Sequence, residues 1–239
     1  HSQQAVKAFQ LQGVVPTKRG MKDAGKKGLR VAAKNVNFGI PYGRGPEAIA
    51  RQCKEEGVEV TPEECQRMID AYFTSYPRTF DFLAECRARS QSPGWIVGPY
   101  GRYRRFAQSE DRSVRGEQER QAQNFPIQGG VADAVSIALC NFYQYRKDHP
   151  DVQYDIALQI HDAIMLIVPV EHAERVYNEV IPACMIDNVP FWPRFLDGTL
   201  IPKAQPYHFG MDRDVFVHWG ETLKPAQAQE LGLNWLHAK

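Results

Sequence analysis

The pattern of apolar and polar positions predicts helices over most of the chain and a small sheet late in it. Helices are expected over residues 29–40, 62–76, 78–89, 113–123, 131–147 and 171–186. Strands are expected over residues 154–160, 164–168 and 207–217, with a further hairpin at 94–106 around Gly98-Pro99. Helices that precede a small sheet, rather than alternating with its strands, are typical of an α+β fold.

Two local signals refine this pattern. The sequence Thr-Pro-Glu-Glu at residues 61–64 is a capping box with proline at the first helical position, and it marks a helix that Pro77 ends. Three glycines lie in or next to residues 18–27, so this stretch is expected to be a loop.

An aspartate, Asp162, stands in the apolar run LQIHDAIML at residues 158–166. A buried carboxylate is costly unless it is paired or binds a cation. The strands predicted on either side place Asp162 at a hairpin tip, held by rigid elements without full burial. A hard cation such as Mg²⁺ takes one or two carboxylates and keeps water or phosphate ligands. The His-Asp pair alone is weak evidence for this, because such pairs are common by chance.

Charge is unevenly distributed, although the net charge is only +1. Residues 18–34 contain seven basic residues and one acid, Asp23, and a second basic cluster consists of Arg102, Arg104 and Arg105. Such patches suit a polyanion held in one groove. For a charge run taken alone, a solvated helix face is the preferred interpretation.

Composition sets broad bounds on the class of protein. The 239 residues, 43% of them hydrophobic, suffice for one large domain or two small ones. Five widely spaced cysteines without a Cys-x-x-Cys pair favour a reducing compartment over a disulfide framework or zinc site. No apolar run is long enough for a bilayer and no signal peptide is visible, so no membrane partner is expected. The chain begins with His1, and we expect it to be a processed product or part of something longer.

A second group of candidate residues lies in GLRVAAKNVNFGIPYG at residues 28–43. Arg30, Lys34 and Phe38 are four residues apart and share one helix face, and Tyr42 follows near the helix end. Two cations in line with an aromatic ring suit a nucleoside triphosphate. Taken alone, the stretch is better explained as a basic amphipathic helix with Phe38 in the core.

A third group lies in RQAQNFPIQG at residues 120–129. Arg120, Asn124 and Gln128 are again four residues apart, although Pro126 is expected to break the helix. Asn and Gln side chains can hydrogen-bond to base edges in a minor groove. Helix capping followed by a turn explains this segment at least as well when it is taken alone.

In this order, the three segments resemble the C-terminal half of the polymerase domain of family A DNA polymerases, the DNA polymerase I and phage T7 type. The matching motifs are motif B (Arg30-x3-Lys34-x3-Phe38-x3-Tyr42-Gly43), the primer–template segment (Arg120-x3-Asn124-x-Pro126-x-Gln128-Gly129) and motif C (Gln159-Ile160-His161-Asp162). The resemblance extends over residues 1–221. It implies a helical fingers subdomain and a partial palm with a small antiparallel sheet and an active-site hairpin.

The resemblance implies that motif B binds the incoming dNTP. Arg30 and Lys34 then bind the triphosphate, and Lys34 protonates the pyrophosphate leaving group. Phe38 packs on the nucleotide sugar. Tyr42 stacks at the template base or the nascent base pair.

The resemblance also implies contacts with primer–template DNA and with Mg²⁺. The residues expected to contact the duplex are Gly43, Arg120, Asn124 and Gln128. His161 supports the primer terminus, and Asp162 binds the catalytic metal ions.

Two departures from the family pattern bear on activity. Motif C usually contains a Glu where this chain has Ala163. Motif A, an Asp on a palm strand followed by a Glu, has no counterpart in the chain. The resemblance therefore implies a split or cleaved enzyme, active only with an N-terminal portion that supplies motif A, the thumb and the remaining palm.

By the same resemblance, residues 1–115 form the fingers, 116–225 the partial palm and 226–239 a C-terminal tail. The expected location is the cytoplasm of a bacterium or of a phage-infected host. One alternative is a non-catalytic nucleic-acid-binding relic, which Ala163 and the missing motif A favour. Another is a fragment of a single-subunit phage-type RNA polymerase, although those enzymes tend to carry Met at the position of Phe38. An unrelated α+β domain is the remaining alternative.

Overall fold

The computed structural model describes residues 1–9, 11–208, 210–218 and 221–237. Its α-helices are α1 (Ser2–Ala8), α2 (Lys18–Asp23), α3 (Lys27–Gly39), α4 (Pro46–Glu55), α5 (Pro62–Ser75), α6 (Pro77–Gln91), α7 (Arg112–Asn124), α8 (Gly130–Asp148), α9 (Val170–Arg175) and α10 (Pro225–Glu230). Its strands pair as β1 (Trp95–Val97) with β2 (Tyr103–Arg105), β3 (Asp155–Ile160) with β4 (Ala163–Ile167), and β5 (Phe216–His218) with β6 (Glu221–Thr222). The predicted α+β fold is confirmed.

The chain divides into two compact units. The first contains His1–Ile96 and Tyr103–Pro126, and the second contains Val97–Arg102 and the chain from Ile127 onward.

The first unit is built around one face of α3. Ala32 and Val36 on this face are fully buried, in a cluster with Met21, Ile49 and Met68 from three other helices. Small side chains at this face let the neighbouring helices approach closely. The opposite face of α3 is therefore left at the surface.

The second unit has its own core. Phe142 of α8 packs edge-on against the ring of Tyr154, and the Tyr154 hydroxyl donates a 2.6 Å hydrogen bond to the Phe142 carbonyl oxygen. Burial raises the pKa of Tyr154 to about 12. This contact fixes the start of β3 on the long helix α8.

The capping box predicted for α5 is confirmed. The Glu64 amide donates to Thr61 Oγ1 at 3.2 Å, and the Thr61 amide donates to the Glu64 carboxylate at 2.9 Å. The helix ends at Ser75, two residues before Pro77, as expected.

The prediction of a loop at residues 18–27 is wrong for its first part, which forms α2. The Gly20 amide donates a 3.0 Å hydrogen bond to the side chain of Thr17, which caps the helix. Met21 is fully buried in the core of the first unit. A cap and one buried anchor outweigh the low helix propensity of a single glycine.

Pro126 does not break the helix, contrary to the prediction. Phe125–Gly129 form one π-helical turn between α7 and α8, and Phe125 keeps helical backbone angles. Proline lacks an N–H and its ring clashes with the carbonyl of the preceding turn. A wider π-turn accommodates both defects without ending the helix.

The strand predicted for residues 207–217 is largely absent from the described residues. Phe216–His218 forms β5, whereas Tyr207 makes only an isolated bridge with Phe191. Phe209 lies outside the described residues. Strand formation depends on an available neighbour, and residues 210–214 pair with no strand in the described part of the chain.

The hairpin of β3 and β4 is confirmed, with an irregular register near Ala157. One set of side chains packs against the core of the second unit: Ile156, Ile164 and Leu166. Another set is exposed: Leu158, Ile160 and Ile167. The hairpin is thus anchored on one side, and it keeps uncovered apolar side chains among the described residues.

Candidate functional site

The exposed face of α3 carries the residues predicted to bind a nucleotide. Phe38 is 57% exposed. It is therefore not a core residue, and the alternative interpretation, which placed it in the core, is wrong for this side chain. Lys34 Nζ lies 5.8 Å from the centre of the Phe38 ring. Arg30 is half-buried one turn before Lys34. The cations and the ring therefore lie along one helix face, as the spacing predicted.

The cations of this face are not paired with carboxylates in the described part of the chain. Neither Arg30 nor Lys34 forms a salt bridge with any residue in the described part of the chain. Arg30 Nε is shielded from solvent and has no hydrogen-bond partner there. Unpaired cations beside an exposed aromatic ring can bind an anion attached to a planar or ring-shaped group.

His1 joins this face, which sequence reasoning missed. Its ring lies 5.8 Å from the Phe38 ring, and Asn37 Nδ2 donates a 2.8 Å hydrogen bond to His1 Nδ1. The two hydrogen-bonded residues are 36 positions apart in sequence. No local spacing pattern links residues so far apart, so the packing of α1 on α3 was needed to reveal the contact.

The end of the α3 segment packs closely on α7. A 3₁₀ turn at Ile40–Tyr42 leads to Gly43, which has a left-handed backbone (φ +64°). A Cβ at Gly43 would lie 2.9 Å from Gln123 Oε1 and 3.2 Å from Arg120 Cγ. The left-handed backbone favours glycine here, and a larger residue would also displace the Gln123 side chain. Gly43 and Arg120, predicted from separate motifs to contact DNA, are neighbours in the first unit.

The predicted DNA-contacting residues differ in their surroundings. Arg120 is exposed, and its Nη2 lies 2.6 Å from the Glu117 carboxylate, which holds the pKa of Glu117 below its usual value. Asn124 is the last residue of α7, and Gln128 is exposed on the π-helical turn. Arg120 is thus exposed to solvent and forms an ion pair with Glu117 on the same helix.

His161 and Asp162 form the two-residue turn of the β3–β4 hairpin. Ile160 pairs with Ala163 across the turn, and His161 adopts a left-handed conformation (φ +53°). Gln159 Nε2 donates a 3.1 Å hydrogen bond to the His161 carbonyl oxygen. A non-glycine residue with positive φ costs about 1–3 kcal/mol and persists only where its surroundings impose it. Here the Ile160–Ala163 pairing and the Gln159 hydrogen bond hold the turn in this conformation.

Asp162 is suited to a hard cation but does not complete a site. Its carboxylate is exposed and has no hydrogen-bond or salt-bridge partner among the described residues. Mg²⁺ prefers such oxygen ligands. The described ranges contain no group of three or more His, Cys, Asp or Glu residues placed to hold a metal ion. The donor set here is one carboxylate, so further ligands must come from outside these residues.

A cationic helix face with an exposed aromatic ring and a hairpin with a carboxylate at its tip suit a protein that binds nucleotides and a metal ion. Comparison with known families identifies which class of protein this is. The sequence model of DNA polymerase family A matches residues 16–191, about three quarters of the chain. The chain belongs to DNA polymerase family A.

Several relatives are similar to parts of this chain. DNA polymerase I of Caldicellulosiruptor bescii is 33% identical over 150 residues, which cover 62% of this chain and 17% of the relative. DNA polymerase I of Geobacillus stearothermophilus is 30% identical over 185 residues, which cover 76% of this chain and 19% of the relative. The DNA polymerase of Escherichia phage T5 is 30% identical over 167 residues, which cover 64% of this chain and 19% of the relative. The chain thus spans less than a fifth of the length of these relatives.

A solved structure is also similar. The polymerase domain of Pol1 from M. smegmatis, in complex with DNA primer–template and dNTP, superposes with a TM-score of 0.63 and 26% identity. The superposition covers 87% of this chain and 33% of the other. In the part of the chain that the structure describes, no helix is both long and apolar enough to cross a membrane.

Proposed function

We propose that this chain is the fingers and partial palm of a DNA polymerase that adds dNTPs to a primer 3′-hydroxyl under the direction of a template. The observation that carries the proposal is the unpaired cationic face of α3, with Arg30 and Lys34 in line with the exposed ring of Phe38. Membership of DNA polymerase family A supports it. The relatives named above are DNA polymerases, which argues against the phage-type RNA polymerase alternative.

We assign the fingers to residues 1–115, the partial palm to 116–225 and a tail to 226–239. The first compact unit extends to Pro126, beyond residue 115, because α7 packs with α6 in that unit. The nucleotide face and the hairpin tip are thus parts of separate units.

On the nucleotide face, we assign a role to each of four residues. Arg30 and Lys34 bind the triphosphate, and Lys34 donates a proton to the departing pyrophosphate. The exposed ring of Phe38 packs on the sugar, and Tyr42 stacks at the template or nascent base pair.

On the DNA side, four residues contact the duplex near the primer end: Gly43, Arg120, Asn124 and Gln128. His161 supports the primer terminus at the hairpin tip. Asp162 holds Mg²⁺ at that tip. Family A DNA polymerases use divalent metal ions, which activate the 3′-oxygen and stabilise the leaving group.

We propose that an N-terminal polymerase portion completes the enzyme. Ala163 follows Asp162 where the family usually has a second carboxylate. The hairpin keeps Leu158, Ile160 and Ile167 exposed, and it pairs with no further strand in the described residues. Open strand edges and apolar patches favour pairing with another segment. That segment carries motif A and the remaining palm strand, and the thumb accompanies it.

Bacterial and phage relatives support a location in the cytoplasm of a bacterium or of a phage-infected cell.

The test is base selection by the assembled enzyme. A primer–template with one defined template base is incubated with each of the four dNTPs and Mg²⁺ in turn. The proposal predicts extension with the complementary dNTP and little with the others. DNA binding without extension by any dNTP would favour the non-catalytic relic that Ala163 suggests.

A further inference from the structure

The exposed face of α3 carries one more cation than the proposed function uses. Lys27 is the first residue of α3, three residues before Arg30 and seven before Lys34. These spacings place the three side chains on one helix face. Lys27 is exposed and forms no salt bridge with the described residues.

This placement is unfavourable for the helix itself. The first turn of α3 contains no acid, and its N-cap, Lys26, provides no capping side-chain hydrogen bond. Cations at the positive end of the helix dipole are repelled by it, and like charges one turn apart repel each other. Binding of an anion would remove both repulsions.

Two further observations indicate a ligand at this row. Arg30 Nε is shielded from water without a partner in the described residues, and buried donors are almost always satisfied. The tight turn before α3, in which the Lys26 amide donates to the Met21 carbonyl oxygen at 2.8 Å, ends with exposed Lys26 directly before Lys27. Positive charge therefore continues beyond Arg30, away from Phe38.

We propose that Lys27 extends the phosphate-binding row and binds a phosphate group beyond the third of a nucleoside polyphosphate. Lys27 lies about 4.5 Å beyond Arg30 along the helix axis, roughly one more phosphate unit. The inference rests on the proposed function, which places the nucleotide sugar at Phe38 and the triphosphate at Lys34 and Arg30. In that orientation the last phosphate points toward Lys27. It adds a preference for longer polyphosphates over triphosphates.

The test compares two nucleotides that differ by one phosphate. Equilibrium dissociation constants for dATP and deoxyadenosine 5′-tetraphosphate are measured on the assembled polymerase with primer–template whose primer end is dideoxy-terminated. The wild type is expected to bind the tetraphosphate about threefold to tenfold more tightly, as for a charged hydrogen bond partly screened by solvent. In Lys27→Gln this ratio should fall toward one, and in Lys27→Arg it should persist.

Lys54→Gln is the matched control, because Lys54 is an exposed lysine near the end of α4 without a salt bridge in the described residues. It should leave the ratio unchanged. A wild-type ratio that Lys27→Gln does not lower overturns the role of Lys27 while leaving the proposed function standing. Failure of the wild type to bind either nucleotide overturns both.

Discussion

Arg102 and Asp133 form a close ion pair in the second unit. Arg102 Nε and Nη2 lie 2.6 Å and 2.5 Å from the same oxygen of Asp133. The Asp133 side chain is only 7% exposed, and its other oxygen is buried without a partner in the described residues. Arg102 belongs to the basic cluster that was predicted to suit a polyanion. Its charge is instead committed to a carboxylate at the first turn of α8.

The first prediction concerns the stability that this pair provides. Asp133→Ala should lower the melting temperature of the protein by about 3–8 °C, because it removes a buried acceptor and leaves Arg102 without its partner. Thermal unfolding followed by circular dichroism measures the change. Asp212→Ala, an exposed carboxylate without a salt bridge in the described residues, is the control and should shift the midpoint by less than about 2 °C. Equal shifts in the two variants would contradict this account.

A second prediction concerns thiol reactivity. Burial raises the pKa of the Cys65 thiol to about 11 and the pKa values of Cys86 and Cys184 to about 12, and it also raises the pKa of Cys53. Cys140 is exposed. Because the thiolate is the reactive form, Cys140 alone should react quickly with a thiol reagent at pH 8.

Absorbance at the release of thionitrobenzoate counts the reactive thiols. The native protein should show one reactive thiol per chain, Cys140→Ser none, and the unfolded protein five.

The raised pKa values also determine how the free energy of unfolding changes with pH. Thiols ionise near pH 9 when unfolded but higher in the fold, so their contribution is full below pH 9 and is lost as pH rises toward 11–12. If several thiols of the native protein reacted quickly with the reagent at pH 8, the burial of these four cysteines would be contradicted.

The third prediction concerns the metal ligand. Asp162→Asn should abolish dNTP addition by the assembled enzyme, because an amide is a poor ligand for Mg²⁺, while primer–template binding should change little. Asp155→Asn is the control, since Asp155 lies at the far end of β3 and pairs with Arg146. Rapid-quench primer extension and fluorescence anisotropy separate the two effects. Near wild-type extension by Asp162→Asn would remove Asp162 from the metal site.

The fourth prediction concerns the nucleotide face. Lys34→Ala should reduce turnover about 10²-fold or more, because its charge acts most strongly as pyrophosphate leaves. Phe38→Tyr should raise dideoxynucleotide incorporation relative to dNTP, because the added hydroxyl would lie beside the sugar and could replace the 3′-hydroxyl that a dideoxynucleotide lacks. Lys54→Ala serves as control and should have no effect on either quantity. Single-turnover kinetics provide the measurement, and unchanged values for both test variants would exclude a triphosphate on this face.

Local signals account for the parts of the fold that sequence predicted correctly. The Thr61–Glu64 capping box and the apolar run around Asp162 depend on neighbouring residues alone, and both have the expected structure. Predictions failed where packing decided the outcome. Burial of Met21 stabilises a helix that its glycine disfavours, and Pro126 fits a π-turn that spacing cannot reveal.

The candidate site shows the same division. Helical spacing placed Arg30, Lys34 and Phe38 on one face, because that relation is local. The contact of His1 with Phe38 and the approach of Gly43 to Arg120 join distant segments, so only tertiary structure reveals them.

The central claim is that this chain works as one part of a polymerase whose other part supplies the second carboxylate and the rest of the palm. Two-metal catalysis holds two ions about 4 Å apart and needs carboxylates that reach both. The tip of the hairpin offers Asp162 followed by Ala163. Strand β4 leads away from the tip, so Glu171, beyond its end, is too distant to contribute.

Reconstitution tests this claim most directly. Templated primer extension is measured with the purified 239-residue chain alone, with a candidate N-terminal portion carrying motif A alone, and with both mixed. The account predicts extension only in the mixture, and its loss when the mixture contains Asp162→Asn. Robust templated synthesis by the 239-residue chain by itself would contradict the account, because it would require a second catalytic carboxylate within this chain.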